Sequence, residues 1–361
     1  MGVVRWVRAV LPVVMTGLLA GATGPGISLA SASPWQPPPC PPVDPPGVAA
    51  DTSTHYQLAA MLDETGTLVA QRFEVFPRGG SVATMDLPPE TFASGPVRGL
   101  VVLGDDDGIR SRLRLVDLAR GCVRFEAVEP AVIRSALIAL DGSSLWEHRV
   151  DRATRADLGV WTRSLADRGS VRVLAGIDAD PDYGPTFSTE LRESADGHLS
   201  VASCGALACR TRIVDPRGPV VGLVAGTGPP IGFTQGQLVA HAACDWWPCP
   251  IVAVDPKTSE RQTLVDAAYG AELGGAKDGF LIYQGPGGDL EVMDVASRAG
   301  RSLAGAQGLA PVRRGSHPDA GFDMPVGEIL VAPDGRVDGS RDTWRLDPTT
   351  ETLSPAAEAQ P

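Results

Sequence analysis

Two short cysteine pairs repeat at a fixed offset and share an ending, and this constrains the fold more than any other feature of the chain. Cys204-Gly205-Ala206-Leu207-Ala208-Cys209 runs into Val214-Asp215-Pro216, and Cys244-Asp245-Trp246-Trp247-Pro248-Cys249 runs into Val254-Asp255-Pro256. Both cysteines and the Asp-Pro are displaced by 40 residues. Self-similarity at this period, with each unit built of short strands, points to a radial β-repeat.

The rest of the chain supports that reading. No long stretch carries a 3.6-residue apolar period; short β-rich runs alternate with Gly, Pro and Asp turns. Hairpins are predicted at Ala60 to Phe76 around Asp63-Glu64-Thr65-Gly66, at Ala136 to Val150 around Asp141-Gly142, at Gly279 to Val295 around Gly285 to Gly288, and at Glu328 onward through Pro333-Asp334-Gly335. An aliphatic residue or Met followed by Asp recurs at Val116-Asp117, Val150-Asp151, Val214-Asp215, Val254-Asp255, Met293-Asp294 and Leu346-Asp347. Such an Asp caps the turn that ends a strand. Residues 51–361 make about seven blades at roughly 40–45 residues per four-stranded blade. The expected fold is therefore an all-β, seven-bladed propeller over residues 51–361, preceded by a Pro-rich linker over 33–50 and a signal peptide over 1–32. The strands from His55 onward are expected to complete the last blade and so close the ring, because an open final blade would leave an unpaired edge.

Ile282-Tyr283 with Val292-Met293-Asp294, and Ala332-Pro333-Asp334-Gly335-Arg336, resemble the strand and S-P-D-G turn elements of the broad TolB/WD40-like β-propellers. The resemblance covers most of residues 51–361 and implies the fold; it transfers no function.

The N-terminus has the layout of a secretory signal: Arg5 and Arg8, an apolar stretch from Ala9 to Ala22, then Ala30-Ser31-Ala32 as a cleavage site. Export implies an oxidising compartment, in which six cysteines are expected to form three disulfides. Cys204–Cys209 and Cys244–Cys249 would close hairpin turns, leaving Cys40 to pair with Cys122. A four-thiolate zinc site is the rival, but structural zinc favours C-x2-C knuckles. The net charge of −12 argues against nucleic-acid partners. Asparagine is absent, and Lys257 and Lys277 are the only lysines.

Three features are candidates for chemistry. Asp178-Ala179-Asp180-Pro181-Asp182 alternates carboxylates as a Ca²⁺ loop does, although Tyr183 stands where such loops carry glycine. The alternative is a solvated acidic loop between blades. Gly104-Asp105-Asp106-Asp107-Gly108 reads as an exposed hairpin tip. Trp246 and Trp247, between bridged cysteines, would form a rigid aromatic anchor for a protein or a sugar, or else pack on an adjacent blade. His55, His148, His198, His241 and His317 show no ligand spacing, and no motif of nucleophilic or metal-dependent catalysis is present.

The expected function is thus that of an exported, monomeric, non-catalytic propeller. It would bind a protein or cell-envelope glycan through loops on one face, with Trp246 and Trp247 as contacts and no cofactor beyond a candidate Ca²⁺ at Asp178, Asp180 and Asp182. The alternatives are a glycoside hydrolase or lyase with acids at the central channel, and a structural module tethered to the envelope.

Overall fold

The computed structural model describes residues 40, 55–76, 83–176, 188–205, 208–215, 218, 220–244, 248–312, 320–322, 327–333, 335 and 343–356. Among them the regular structure is extended strand, apart from one 3-10 turn at Ala276–Asp278. The strands form antiparallel sheets, five of four strands and one of seven. No helix among the described residues is long and apolar enough to cross a membrane.

Within each four-stranded sheet the first strand is innermost, and the first strands of successive sheets pack on one another. The middle strands lie between neighbouring sheets, so both faces must be apolar. Leu100–Asp106 is accordingly buried almost throughout, whereas the outermost strand of the same sheet, Cys122–Glu129, mixes buried and exposed positions. The core is divided among the seams between sheets. Tyr56, Phe73 and Met85 of the first sheet meet Val101 and Leu103 of the second. Leu113 and Phe125 of the second meet Ile138 and Leu145 of the third. Burial at these seams, worth roughly 25 cal/mol per Å² of apolar surface, is what fastens one sheet to the next. This is the architecture of a β-propeller.

The seven-stranded sheet arises because Val220–Thr234 serves twice. Its first half pairs with Cys209–Val214 as an outer strand, and its second half with Gln237–Ala242 as an inner one. The register slips between Thr227 and Pro230 and again between Pro230 and Gly232. Pro229 and Pro230 lack the N–H that a continuous ladder would need, so the strand can change partners there.

Ring closure takes an unexpected route. The strands His55–Leu62, Leu68–Phe76 and Ala83–Leu87 receive their innermost partner from Ala320–Phe322, with His55 opposite Phe322 and Gln57 opposite Ala320. That segment lies in the chain between Leu309–Pro311 and Ile329–Pro333, which are themselves paired in the last sheet. The N-terminal strands therefore do not complete the last blade. A detour from the last sheet completes theirs, and it covers the edge that His55–Leu62 would otherwise expose.

All four predicted hairpins are present. The repeated Asp occupies the turn from third to fourth strand at Asp117, Asp215, Asp255, Asp294 and Asp347. At Asp117, Asp255, Asp294 and Asp347 the carboxylate accepts from backbone N–H groups two or three residues on, such as Lys257 N (2.7 Å) and Thr349 N (2.8 Å). Asp151 is the exception, because it ends a second strand. In that sheet the corresponding position is Ser164, whose Oγ accepts from Ala166 N and Asp167 N. The same turns place the fourth residue after the cap at positive φ: Gly121, Arg168, Ser259, Arg298 and Glu351. A side chain in that region is strained relative to glycine. Ser259→Gly is therefore expected to raise stability by about 0.5–1 kcal/mol in chemical denaturation; a loss would show that the turn does not carry this strain.

The three disulfides are those expected: Cys40–Cys122, Cys204–Cys209 and Cys244–Cys249. Cys40 N also donates to Val123 O (3.0 Å), on the outermost strand of the second sheet.

Candidate functional site

The predicted contacts Trp246 and Trp247, and the predicted Ca²⁺ ligands Asp178, Asp180 and Asp182, lie outside the described residues. The described residues nonetheless define two unlike faces. Antiparallel order puts first-to-second and third-to-fourth turns at one end of each sheet, and second-to-third turns with the exits of fourth strands at the other.

The first end is clasped near the axis by hydrogen bonds between sheets and between the two halves of the seven-stranded one. Leu140 N donates to Glu193 Oε2 (2.7 Å), and Phe233 N to Ser194 Oγ (3.0 Å). Ala195 N donates to Asp278 Oδ2 (2.7 Å), and Thr234 Oγ1 to Lys277 O (3.2 Å). Gly275 N reaches Gly327 O (2.7 Å). The 3-10 turn Ala276–Asp278 thus exists to bring the buried Asp278 over the neighbouring turn. Deeper in, Arg192 Nη1 donates to Ile231 O (2.8 Å) and to Glu272 Oε1 (2.9 Å), joining innermost strands. Both side chains of this ion pair are about 95 % buried (5 % and 4 % exposed).

Glu193 is part-buried between the third sheet and the seven-stranded one. Burial pushes its carboxyl up to about 7; the Leu140 N–H opposes the rise, and the charge of Asp141 adds to it. Sequence reading missed Glu193 and the Arg192–Glu272 pair. The available signal was charge within an otherwise apolar strand, in Leu191-Arg192-Glu193 and Ala271-Glu272-Leu273.

The opposite end is open. Its turns are held by their own backbone and, between the second and third sheets, by Arg152, and their tips carry apolar side chains. At the tip 107–110, Asp107 Oδ1 accepts from Ile109 N (2.8 Å) and Arg110 N (2.7 Å), while Asp107 N donates to Arg110 O (3.1 Å). Asp106 Oδ1 accepts from Gly108 N (2.8 Å), and its two oxygens receive both terminal nitrogens of Arg152, each at 2.7 Å. Ile109, so framed, is 74 % exposed. At the neighbouring tip 63–67, Asp63 Oδ1 accepts from Thr65 N, Thr65 Oγ1 and Thr67 N, between the exposed Leu62 and Leu68. Of the exposed large apolar residues, Leu62, Leu68, Val69, Ile109, Val128 and Tyr269 lie toward this end, against Val171, Val220 and Leu223 toward the other. Both disulfide-closed turns join second to third strands and belong to the open end as well.

No family model matches the chain. No curated protein matches its sequence. Likeness appears among solved structures. One is a structure from a study of two prolyl endopeptidases, at 12 % identity and TM-score 0.52, covering 85 % of this chain and 49 % of that one. Another is the Dos1 propeller, at 9 % identity and TM-score 0.48, covering 76 % and 79 %. A third is TolB from Acinetobacter baumannii, at 13 % identity and TM-score 0.42, covering 76 % and 67 %. The chain spans about half the length of the prolyl endopeptidase structure that it matches. These likenesses concern the fold alone, and the class that the strand topology defines is the β-propeller.

Proposed function

We propose that the chain is an exported, non-catalytic, seven-bladed β-propeller that binds a protein or envelope polymer through its open face. Dividing the seven-stranded sheet at Val220–Thr234 supplies the seven four-stranded units. The unlikeness of the two ends carries the reading. One end joins sheet after sheet through polar groups near the axis; the other, tied between sheets at Arg152–Asp106, displays apolar side chains on turns already ordered before any partner arrives. Preorganised tips lose little entropy on binding, which is how such loops gain affinity. Three disulfides fit a chain that works in an oxidising compartment.

Glu193 favours the enzymatic alternative, since a carboxyl near 7 suits proton transfer. Its oxygen, however, is turned into a seam against Leu140 N, and Glu272 is neutralised by Arg192. A glycosidase needs two carboxyls facing one substrate, and these two are committed to joints.

The test is affinity capture from envelope and secreted fractions with the mature protein, an Ile109→Asp variant, a Trp246→Ala, Trp247→Ala variant and a Lys277→Glu control on the clasped face. All are first shown to be folded by circular dichroism. A partner kept by the parent and the control but lost by Ile109→Asp is the expected result, and the Trp variant reports whether the site extends to that turn. Loss in the control alone, or no partner for any form, overturns the reading.

A further inference from the structure

We propose that the open face takes a cationic polypeptide segment, held between the first two sheets by Leu62, Leu68 and Ile109 as apolar contacts and by Asp63, Glu64 and Asp107 as charge contacts. The inference rests on the reading of the open face as a binding face and names its partner.

Among the described residues, exposed charge as well as apolar surface is divided unevenly between the ends. Toward the open end, the exposed acids include Asp63, Glu64, Glu90, Asp107, Asp266 and Asp289, against Arg110, Arg134 and Arg155 as exposed bases. Toward the clasped end, exposed Arg98, Arg120, Arg168, Lys257, Lys277 and Arg298 offset the acids that cap its turns. Both lysines of a chain with net charge −12 are thus at the end away from the apolar tips. A face of this sign attracts a basic partner and repels nucleic acid, anionic polymers and anionic lipid surfaces.

The carboxylates are fixed in position and in charge. The Thr65 hydroxyl and the Thr67 and Thr65 N–H groups hold Asp63 below the usual carboxylate range, and the Arg110 and Ile109 N–H groups do the same for Asp107. Each therefore stays ionised beside an apolar side chain that is mostly in water, Leu62 at 60 % and Ile109 at 74 % exposure. A segment alternating basic and apolar residues meets both demands. Polyanions meet neither.

The test uses the full, disulfide-intact chain and three labelled probes: a lysine–leucine alternating peptide, its glutamate–leucine counterpart, and a neutral oligosaccharide. Binding is read by fluorescence anisotropy at low and high salt. One variant combines Asp63→Asn, Glu64→Gln and Asp107→Asn, in which the asparagine oxygens keep the turn caps. A second is Ile109→Ser. A control neutralises the clasped end with Asp167→Asn, Asp196→Asn and Glu260→Gln.

The lysine–leucine peptide is expected to bind best, to weaken about ten-fold or more in the first two variants, and to be unchanged in the control. Equal loss in the control would show non-specific attraction to an acidic chain and overturn the proposal. So would preference for either other probe, or no loss in the open-face variants. If the natural partner maps to the open face but proves acidic or a glycan, the binding reading stands and this one falls.

Discussion

Glu147→Gln is expected to cost about 3–5 kcal/mol of folding stability, the cost of leaving a buried charge unmatched. Glu147 is fully buried on the second strand of the third sheet, Ser144–Val150. Its carboxylate accepts from Arg149 Nη2 (2.5 Å) and Nε (3.0 Å) on its own strand, and from Arg163 Nε (2.5 Å) on the next. Glu129, from the outermost strand of the second sheet, pairs with Arg163 and with Arg149 Nη1 (3.2 Å). Two acids and two guanidinium groups therefore balance within one seam. Arg149 also lies over the Trp161 ring at 4.4 Å, which shields that cation further from water.

Glutamine keeps the shape but removes one charge, and its amide N–H groups face guanidinium donors. The loss would appear as a lower denaturation midpoint at unchanged slope. Adding Arg149→Met to Glu147→Gln restores the balance, and is expected to recover most of what the single change loses. A single-variant loss below about 1 kcal/mol would mean that water reaches the network and screens it.

This network shows where sequence reading stops. The hairpins were legible because strand and turn signals are local, and the disulfides because each short pair spans one turn of a hairpin. The blade-ending aspartates were legible as a class. Val150-Asp151 misled because an Asp cap serves a second-to-third turn as well as a third-to-fourth one, while Ser164 does the same work unseen. Closure by Ala320–Phe322 left no trace, since three residues carry no period and their partner lies over 250 residues away in the chain. The candidate site divides the same way. Gly104 to Gly108 was recognised as a tip, but the weight of Ile109 depends on which end of the sheets that tip occupies, and only the topology decides that. Glu147 stood in plain view in Ser144-Leu145-Trp146-Glu147-His148-Arg149-Val150, yet the four side chains of its network come from three different strands.

Stability is expected to fall as pH rises from about 4.5 to about 7, with Glu193 as the cause. The carboxyl ionises near 4.5 in an unfolded chain and at about 7 in the folded one, because burial disfavours its charge. Below 4.5 both states hold the proton, and the contribution is fully present. Between the two values only the folded state holds it, so each step upward in pH favours unfolding. Above 7 the folded chain carries the buried charge, and the contribution is gone. The difference amounts to roughly 2–3 kcal/mol after allowance for the part of Glu193 that meets solvent. Glu193→Gln keeps a side-chain oxygen for Leu140 N and abolishes the titration. It should match the parent at pH 4, exceed it by that amount at pH 8, and flatten the dependence between. An unchanged slope would place the titrating group elsewhere. The joint concerned ties the third sheet to the seven-stranded one, so hydrogen exchange at Leu140 N should slow in acid by more than intrinsic chemistry requires, and that slowing should vanish in the glutamine variant.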